Sequence, residues 1–239
     1  MALKQVVEGV YLLSLGFVNA YLLDEDGLTL VDTGIPGKEK QIFQAVAELG
    51  RSPADIKQIL ITHLHRDHTG SLAVVKKISG APAAAHAADA ALIRRGVFAR
   101  DTLPAPGLVG ALVSRAMKSG KNTPLAAGVE VEQEIVDGQV IPGTGGLRAV
   151  ATPGHTADHL VFLWPRQGGV LFAGDVLSRL FVGVRHSPIY ENYLDARNSL
   201  KILAGLEYDT ICFSHGYPIV GGASAALQPK IIKWMDELI

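Results

Sequence analysis

A chain of 239 residues with 48% hydrophobic side chains, 19% charged ones and 26 glycines has the composition of an ordinary globular protein, which excludes disorder as its main state. At roughly 150 residues per domain, it is long enough to bury about three quarters of its unfolded surface and is read as one domain, 1–239, that needs no staple to hold a core. Lys and Arg number 22 against 23 Asp and Glu, so the basic footprint of a phosphate-backbone binder is absent and nucleic acid is not an expected partner.

Met1-Ala2-Leu3-Lys4 runs at once into strand-like sequence without an apolar leader. No stretch approaches the roughly 18 uncharged apolar residues of a membrane span, so the expectation is a cytoplasmic protein without membrane contact. Residues 6–13, 17–23 and 28–31 read as strands, the last two joined by the turn-forming Asp24-Glu25-Asp26-Gly27, so the fold opens as an antiparallel meander. Residues 38–49 carry Ile42, Phe43, Val46 and Leu49 at helical spacing and stop at Gly50. The apolar run 56–62 reads as a strand covered on both faces. A helix over 71–78 and a short strand over 81–86 follow. Residues 87–127 are rich in Ala, Leu and basic side chains, with Pro104, Pro106 and Gly107 dividing two helical pieces, and read as an inserted helical layer. Strands resume at 129–131, 147–151, 159–164 and 170–173, then come a helix near 193–203, a strand at 210–213 and an amphipathic helix over 223–238. In that last helix Trp234 and Met235 read as packing residues, with a homodimer contact as the less favoured alternative. Strands of both halves flanked by helices predict an α+β fold, two sheets face to face with helices outside, a four-layer αβ/βα sandwich. The single cysteine, Cys212, lies in an apolar strand, which rules out an intrachain disulfide and a Cys-rich zinc site.

Three of the eight histidines fall within six residues, in Thr62-His63-Leu64-His65-Arg66-Asp67-His68, directly after the strand at 56–62. If the extended backbone persists through His65, period-two geometry puts His63 and His65 on one side, with Asp67 and His68 in the following turn. Three imidazoles and a carboxylate crowded at a strand end are hard to satisfy without a cation to collect their lone pairs. Such ligands suit zinc, and also iron, manganese or nickel. Thr152-Pro153-Gly154-His155, Ala173-Gly174-Asp175 and Phe213-Ser214-His215 each place a further metal-binding side chain at a strand end beside a small residue. His86 and His159 read as hydrogen-bonded core or cleft-wall histidines.

This set, HxHxDH at 63–68 followed by His155, Asp175 and His215, resembles the metallo-β-lactamase-fold superfamily of hydrolases, and Leu30-Val31-Asp32-Thr33-Gly34 looks like that family's first motif. The resemblance runs from about Val10 to Gly216. It implies an αβ/βα sandwich with metals in a shallow cleft at one edge of the sheets. His63, His65 and His155 would hold one cation, Asp67, His68 and His215 a second, and Asp175 both, while Asp32 would orient the ligand loops without touching metal. The implied cofactor is a pair of divalent ions, zinc first, with iron or manganese as alternatives. The expected reaction is hydrolysis of an ester, lactone or thioester by a hydroxide that bridges the two ions, with Asp67 relaying its proton. The branches nearest in pattern are the lactonases and glyoxalase II-like thioesterases, yet only 24 residues follow His215, fewer than a glutathione-binding helical domain requires. A tyrosine common in lactonases three residues after the bridging Asp is here Ser178. Flavodiiron proteins carry Glu where His65 stands, and the commonest zinc β-lactamases carry Cys at Asp175. The alternative from another class is a mononuclear iron oxygenase resembling persulfide dioxygenases; β-lactamase and phosphodiesterase activities are further alternatives.

A small-molecule acyl substrate is the expected partner. Six basic residues, Arg94, Arg95, Arg100, Arg115, Lys118 and Lys121, against the single acid Asp101 suggest that the helical insert overhangs the cleft and takes an anionic end of that substrate, with Leu108, Leu112 and Val113 as apolar surface. His186, Tyr190 and Tyr193, in the stretch after Asp175, are further candidates for substrate contact.

Overall fold

The computed structural model describes residues 3–97, 101–118, 128–180 and 183–238, with the side chains of residues 109, 116–118 and 180 excepted. The first sheet begins as an antiparallel meander of β1 (Lys4–Val7), β2 (Val10–Ser14), β3 (Asn19–Glu25) and β4 (Gly27–Val31). It continues in parallel through β5 (Ile56–Leu60), β6 (Ala83–His86) and, after the small bridge strand β7 (Leu103–Pro104), β8 (Gln133–Ile135). The second sheet holds β9 (Arg148–Ala151), β10 (Leu160–Trp164) and β11 (Val170–Phe172). Two strands form a hairpin outside it, β12 (Leu177–Leu180) and β13 (Gly183–His186), and β14 (Ile189–Tyr190) pairs with β7. The second sheet is completed by β15 (Thr210–Cys212), parallel to β11, and β16 (Ile219–Val220).

Strand alternation decides which side chains meet. Val10 and Leu12 of β2, Tyr21 and Leu23 of β3, Leu160, Phe162 and Trp164 of β10, and Val170 and Phe172 of β11 form one core between the sheets. The intervening Leu13, Ala20 and Leu22 turn outward onto α1 (Glu39–Glu48), where Ile42 and Val46 meet them. After α2 (Arg66–Thr69), the helices α3 (Leu72–Ser79) and α4 (Ala87–Arg94) join that outer layer through Leu72, Val75, Ala90 and Ile93. Beyond α5 (Leu108–Lys118), Val161 and Leu171 turn outward in the same way onto α6 (Tyr193–Ala204) and α7 (Ala223–Glu237), packed by Leu200, Leu203, Leu227 and Trp234. The layers run α/β/β/α, as the strand and helix pattern predicts. No described helix is long and apolar enough to cross a membrane.

Four expectations change. Residues 6–13 are two strands, because Gly9, at φ +78°, lets the chain reverse with Val7 opposite Val10. The strand expected at 129–131 lies at 133–135, and the stretch after Asp175 contains a hairpin. Of the two helical pieces in the expected insert, α4 belongs to the outer layer of the first sheet, and only α5 lies toward the cleft. Arg100 and Lys121 fall outside the described residues, as does the side chain of Lys118. Replacing Phe162, fully buried between the sheets, by Ala is expected to cost about 3–5 kcal/mol in denaturant unfolding; a loss under about 1 kcal/mol would contradict the two-sheet core.

Candidate metal centre

β5 ends at Leu60, and the chain bends before His63 instead of staying extended. His63 and His65 therefore do not meet by strand alternation. The His65 N–H donates to the His63 carbonyl at 3.1 Å, a tight turn that swings both rings inward, while the Asp89 carboxylate accepts the Leu64 N–H at 2.9 Å. His65 then precedes α2, which carries Asp67 and His68. His155 follows β9 across a turn at Gly154, whose φ of +128° and contact with the Ala196 backbone leave no room for a Cβ. Asp175 follows β11, and His215 follows β15. All seven lie where strands end, on adjoining edges of the two sheets.

Second partners determine which ring nitrogens are bare. The His68 Nδ1–H donates to Asp32 Oδ2 at 2.8 Å, and the His215 Nδ1–H donates to the Phe17 carbonyl at 2.8 Å. His155 Nδ1 donates to the Ile189 carbonyl at 3.1 Å and lies 2.7 Å from Ser187 Oγ. Thr62 Oγ1 donates to Asp32 Oδ2 at 2.8 Å and so accepts from His63 Nδ1 at 3.1 Å. In the neutral form of each ring Nε2 is therefore the bare nitrogen. His63 Nε2, His155 Nε2 and His65 Nδ1 stand 2.9–3.2 Å apart. Three nitrogens bound tetrahedrally to one cation at 2.0–2.1 Å are separated by about 3.3 Å. His68 Nε2 and Asp175 Oδ1, both buried and without a hydrogen-bond partner, face each other at 3.4 Å. Asp175 Oδ2 lies 3.5 Å from His155 Nε2 and 3.3 Å from His215 Nε2, which is itself 3.4 Å from Asp67 Oδ2. Two sets of side chains able to hold a cation result, His63, His65, His155 and Asp175, and beside them Asp67, His68 and His215. This donor set, nitrogen and carboxylate lone pairs facing one another, fits divalent metal.

The electrostatics divide the same way. Burial, reinforced by neighbouring histidines, holds His63 well below its ordinary pKa and brings His65 down to about 3. Burial would lower His68 and His215 also, but carboxylates outweigh it: Asp175, Asp32 and Asp67 raise His68 well above the usual value, and Asp175 and Asp67 bring His215 to about 10. Burial pushes Asp175 up, and His215 and His68 override it to hold the carboxyl well below the usual range. The pocket is built for positive charge.

Residues 13–215 match the sequence model of the metallo-β-lactamase superfamily. The chain belongs to that superfamily. The chain is 33% identical over 163 residues to the uncharacterized protein YobT of Bacillus subtilis, a match covering 66% of the chain and 61% of that protein. It is 28% identical over 223 residues to the thioesterase pkgB of Emericella nidulans, covering 92% of the chain and 51% of the relative. The chain thus spans about half to three fifths of these curated relatives. Among solved structures, a subclass B3 metallo-β-lactamase of Bradyrhizobium japonicum superposes with a TM-score of 0.70 at 26% identity, covering 98% of the chain and 92% of the other.

Asp32 sits behind these seven side chains, buried at φ +61°. That left-handed backbone is uncommon outside glycine and least so for Asp and Asn. Besides His68 and the Thr62 hydroxyl, it accepts the Thr62 N–H at 2.9 Å, tying β4 to the ligand loop. The residues expected to touch substrate lie elsewhere. Buried His186 contacts the Tyr190 hydroxyl at 2.8 Å and Glu237 at 3.4 Å and meets the Trp234 ring edge-on, while the Tyr193 hydroxyl donates to the Pro104 carbonyl. These three fasten the hairpin and β7 to α6 and α7, and none lines the cavity. Arg115 is exposed and about 200° round α5 from Val113, the α5 residue that does line it.

Sequence reasoning missed Phe17, Asn19, Tyr21 and Ser187. Phe17 lies in a loop before β3 and stacks on His215, with ring centroids 5.8 Å apart. Asn19 Nδ2 donates to the Phe213 and Gly216 carbonyls, and the Tyr21 hydroxyl donates to Phe213, clamping the His215 loop. The partners of Phe17, Asn19 and Tyr21 lie nearly two hundred residues away, beyond any local pattern, and Ser187 meets His155 across 32 residues. Asp32→Asn keeps a residue tolerant of the left-handed backbone but removes the charge. It is expected to weaken metal affinity about 10–100-fold in chelator competition; unchanged affinity would show that Asp32 does not organise the ligands.

Proposed function

We propose that the chain is a two-zinc hydrolase of acyl thioesters, with oxygen esters and lactones as lesser substrates. One observation carries the reading: a cavity of about 600 Å³ opens directly on His65, Asp67, His155, Asp175 and His215 and is otherwise walled largely by apolar Phe17, Ile35, Pro36, Val113, Pro188 and Ile189. An apolar acyl group fits such walls, with its carbonyl against the polar end. The thioesterase names of two relatives, pkgB and an atrochrysone carboxyl ACP thioesterase of Aspergillus chevalieri 28% identical over 211 residues, support the thioester choice.

His63, His65 and His155 would hold one cation, Asp67, His68 and His215 the other, with Asp175 facing both. Bound there, divalent zinc supplies polarisation of a carbonyl and a water acidic enough to ionise near neutrality. The protein's own contribution is orientation and proton movement. Asp67 is at the cavity edge, and although burial opposes it, His68 and His215 keep its carboxylate ionised. It would take the proton released by the attacking water and pass it to the departing thiolate, which leaves as the thiol. The apolar walls exclude bulk water from the acyl chain. The second ligand set, Asp67, His68 and His215, favours two cations over the single iron of a dioxygenase.

On metal-quantified protein, an assay panel of acyl thioesters, esters, lactones, phosphodiesters, β-lactams and a persulfide tests the reading. Expected is about two zinc per chain and fastest turnover of apolar acyl thioesters, abolished by a chelator and restored by zinc. One iron per chain with oxygen consumption on the persulfide, or thioesterase activity indifferent to chelation, would contradict it.

A further inference from the structure

We propose that His159 is a positioning residue that sets the Asp175 carboxylate between the two ligand groups through a single locked imidazole tautomer. The inference rests on the reading that Asp175 serves both cations.

His159 is buried immediately before β10. Its Nε2 lies 3.0 Å from the backbone nitrogen of Asp175. An amide N–H can only donate, so Nε2 carries no proton. The ring proton is therefore on Nδ1, where it donates to Thr152 Oγ1 at 2.8 Å. The Thr152 N–H in turn donates to the His159 carbonyl at 2.9 Å, so the two residues are joined through backbone and side chain. The imidazole spans from the end of β9 to the turn after β11 and fixes one against the other.

The turn is shaped to receive it. Gly174 has φ +50°, and a Cβ there would stand 2.5 Å from His159 Nε2. Glycine alone lets the ring reach the Asp175 amide. Behind the ligands, the same ring lies 5.0 Å from the centroid of His63 and 5.9 Å, edge-on, from that of His155. Both of its nitrogens are engaged, so His159 has no lone pair left for a metal and does not line the cavity. A planar ring with an acceptor on one edge and a donor on the other is what this span needs. His159 acts on the reaction through Asp175.

Two variants of the full chain separate positioning from packing. His159→Phe keeps a flat ring of similar size but leaves the Asp175 N–H without its acceptor, while His159→Gln brings an amide oxygen close to where Nε2 stands. In competition with a chromophoric chelator, H159F is expected to bind zinc about 10–100-fold more weakly than wild type, with H159Q recovering most of the loss. H159F binding two zinc ions as tightly as wild type overturns the proposal, and so does H159Q falling as far as H159F. A measurement on the zinc-free wild type needs no variant to fold: long-range proton–nitrogen correlation is expected to show Nδ1 protonated and Nε2 bare, and the reverse overturns the lock. A wild type that takes up no zinc contradicts the metal reading and this inference together, a pattern distinct from a wild type and an H159F that bind equally.

Discussion

Lone pairs aimed at one another in a buried pocket are the constraint on which this structure turns. Buried polar groups must be paired, and a protein interior offers few ways to pair an acceptor with an acceptor. Here five imidazole nitrogens and two carboxylates face inward, and four of the rings spend their Nδ1–H on Asp32, Thr62, Phe17 and Ile189 at their outer edges. Protons can satisfy part of this arrangement, because the carboxylates beside His68 and His215 favour their protonated rings. Cations satisfy the whole.

The sandwich exists, in this sense, to bring these seven side chains together. Each of the seven follows a strand end, and the strands are held by cores that alternate side by side along each chain segment. Because the two sheets share one internal core, the edge of the first sheet, with His63 to His68, is fixed against the edge of the second, with His155, Asp175 and His215. Loops then need only short-range precision. That precision comes from hydrogen bonds to backbone groups: Asn19 and Tyr21 on the His215 loop, Ile189 on His155, and the His159 ring on the Asp175 amide.

The layer architecture and the seven inward-facing residues were legible in the sequence because both rest on signals carried by the residues themselves. Period-two and period-3.6 patterns mark sheet and helix faces, and a cluster of His and Asp at strand ends has few other physical explanations. The geometry between neighbours was less legible. His63 and His65 converge by a tight turn supported from Asp89, twenty-five residues away, which no strand rule anticipates. Gly9 divides a run that looks like one strand, because a single positive φ outweighs the apolar pattern around it. Counting basic residues in 94–121 could not reveal the phase of α5, which turns Arg115 from the cavity. His186, Tyr190 and Tyr193 are polar-tipped residues near Asp175, but their partners Glu237, Trp234 and Pro104 draw them to the far side of the hairpin.

The most direct measurement of the central claim is anomalous diffraction at the zinc edge from crystals of zinc-loaded protein. Two peaks about 3.5–4 Å apart, flanking Asp175 and bound only by nitrogen and oxygen, are the result the account predicts. A single peak, or none with the imidazoles turned away from one another, would contradict it.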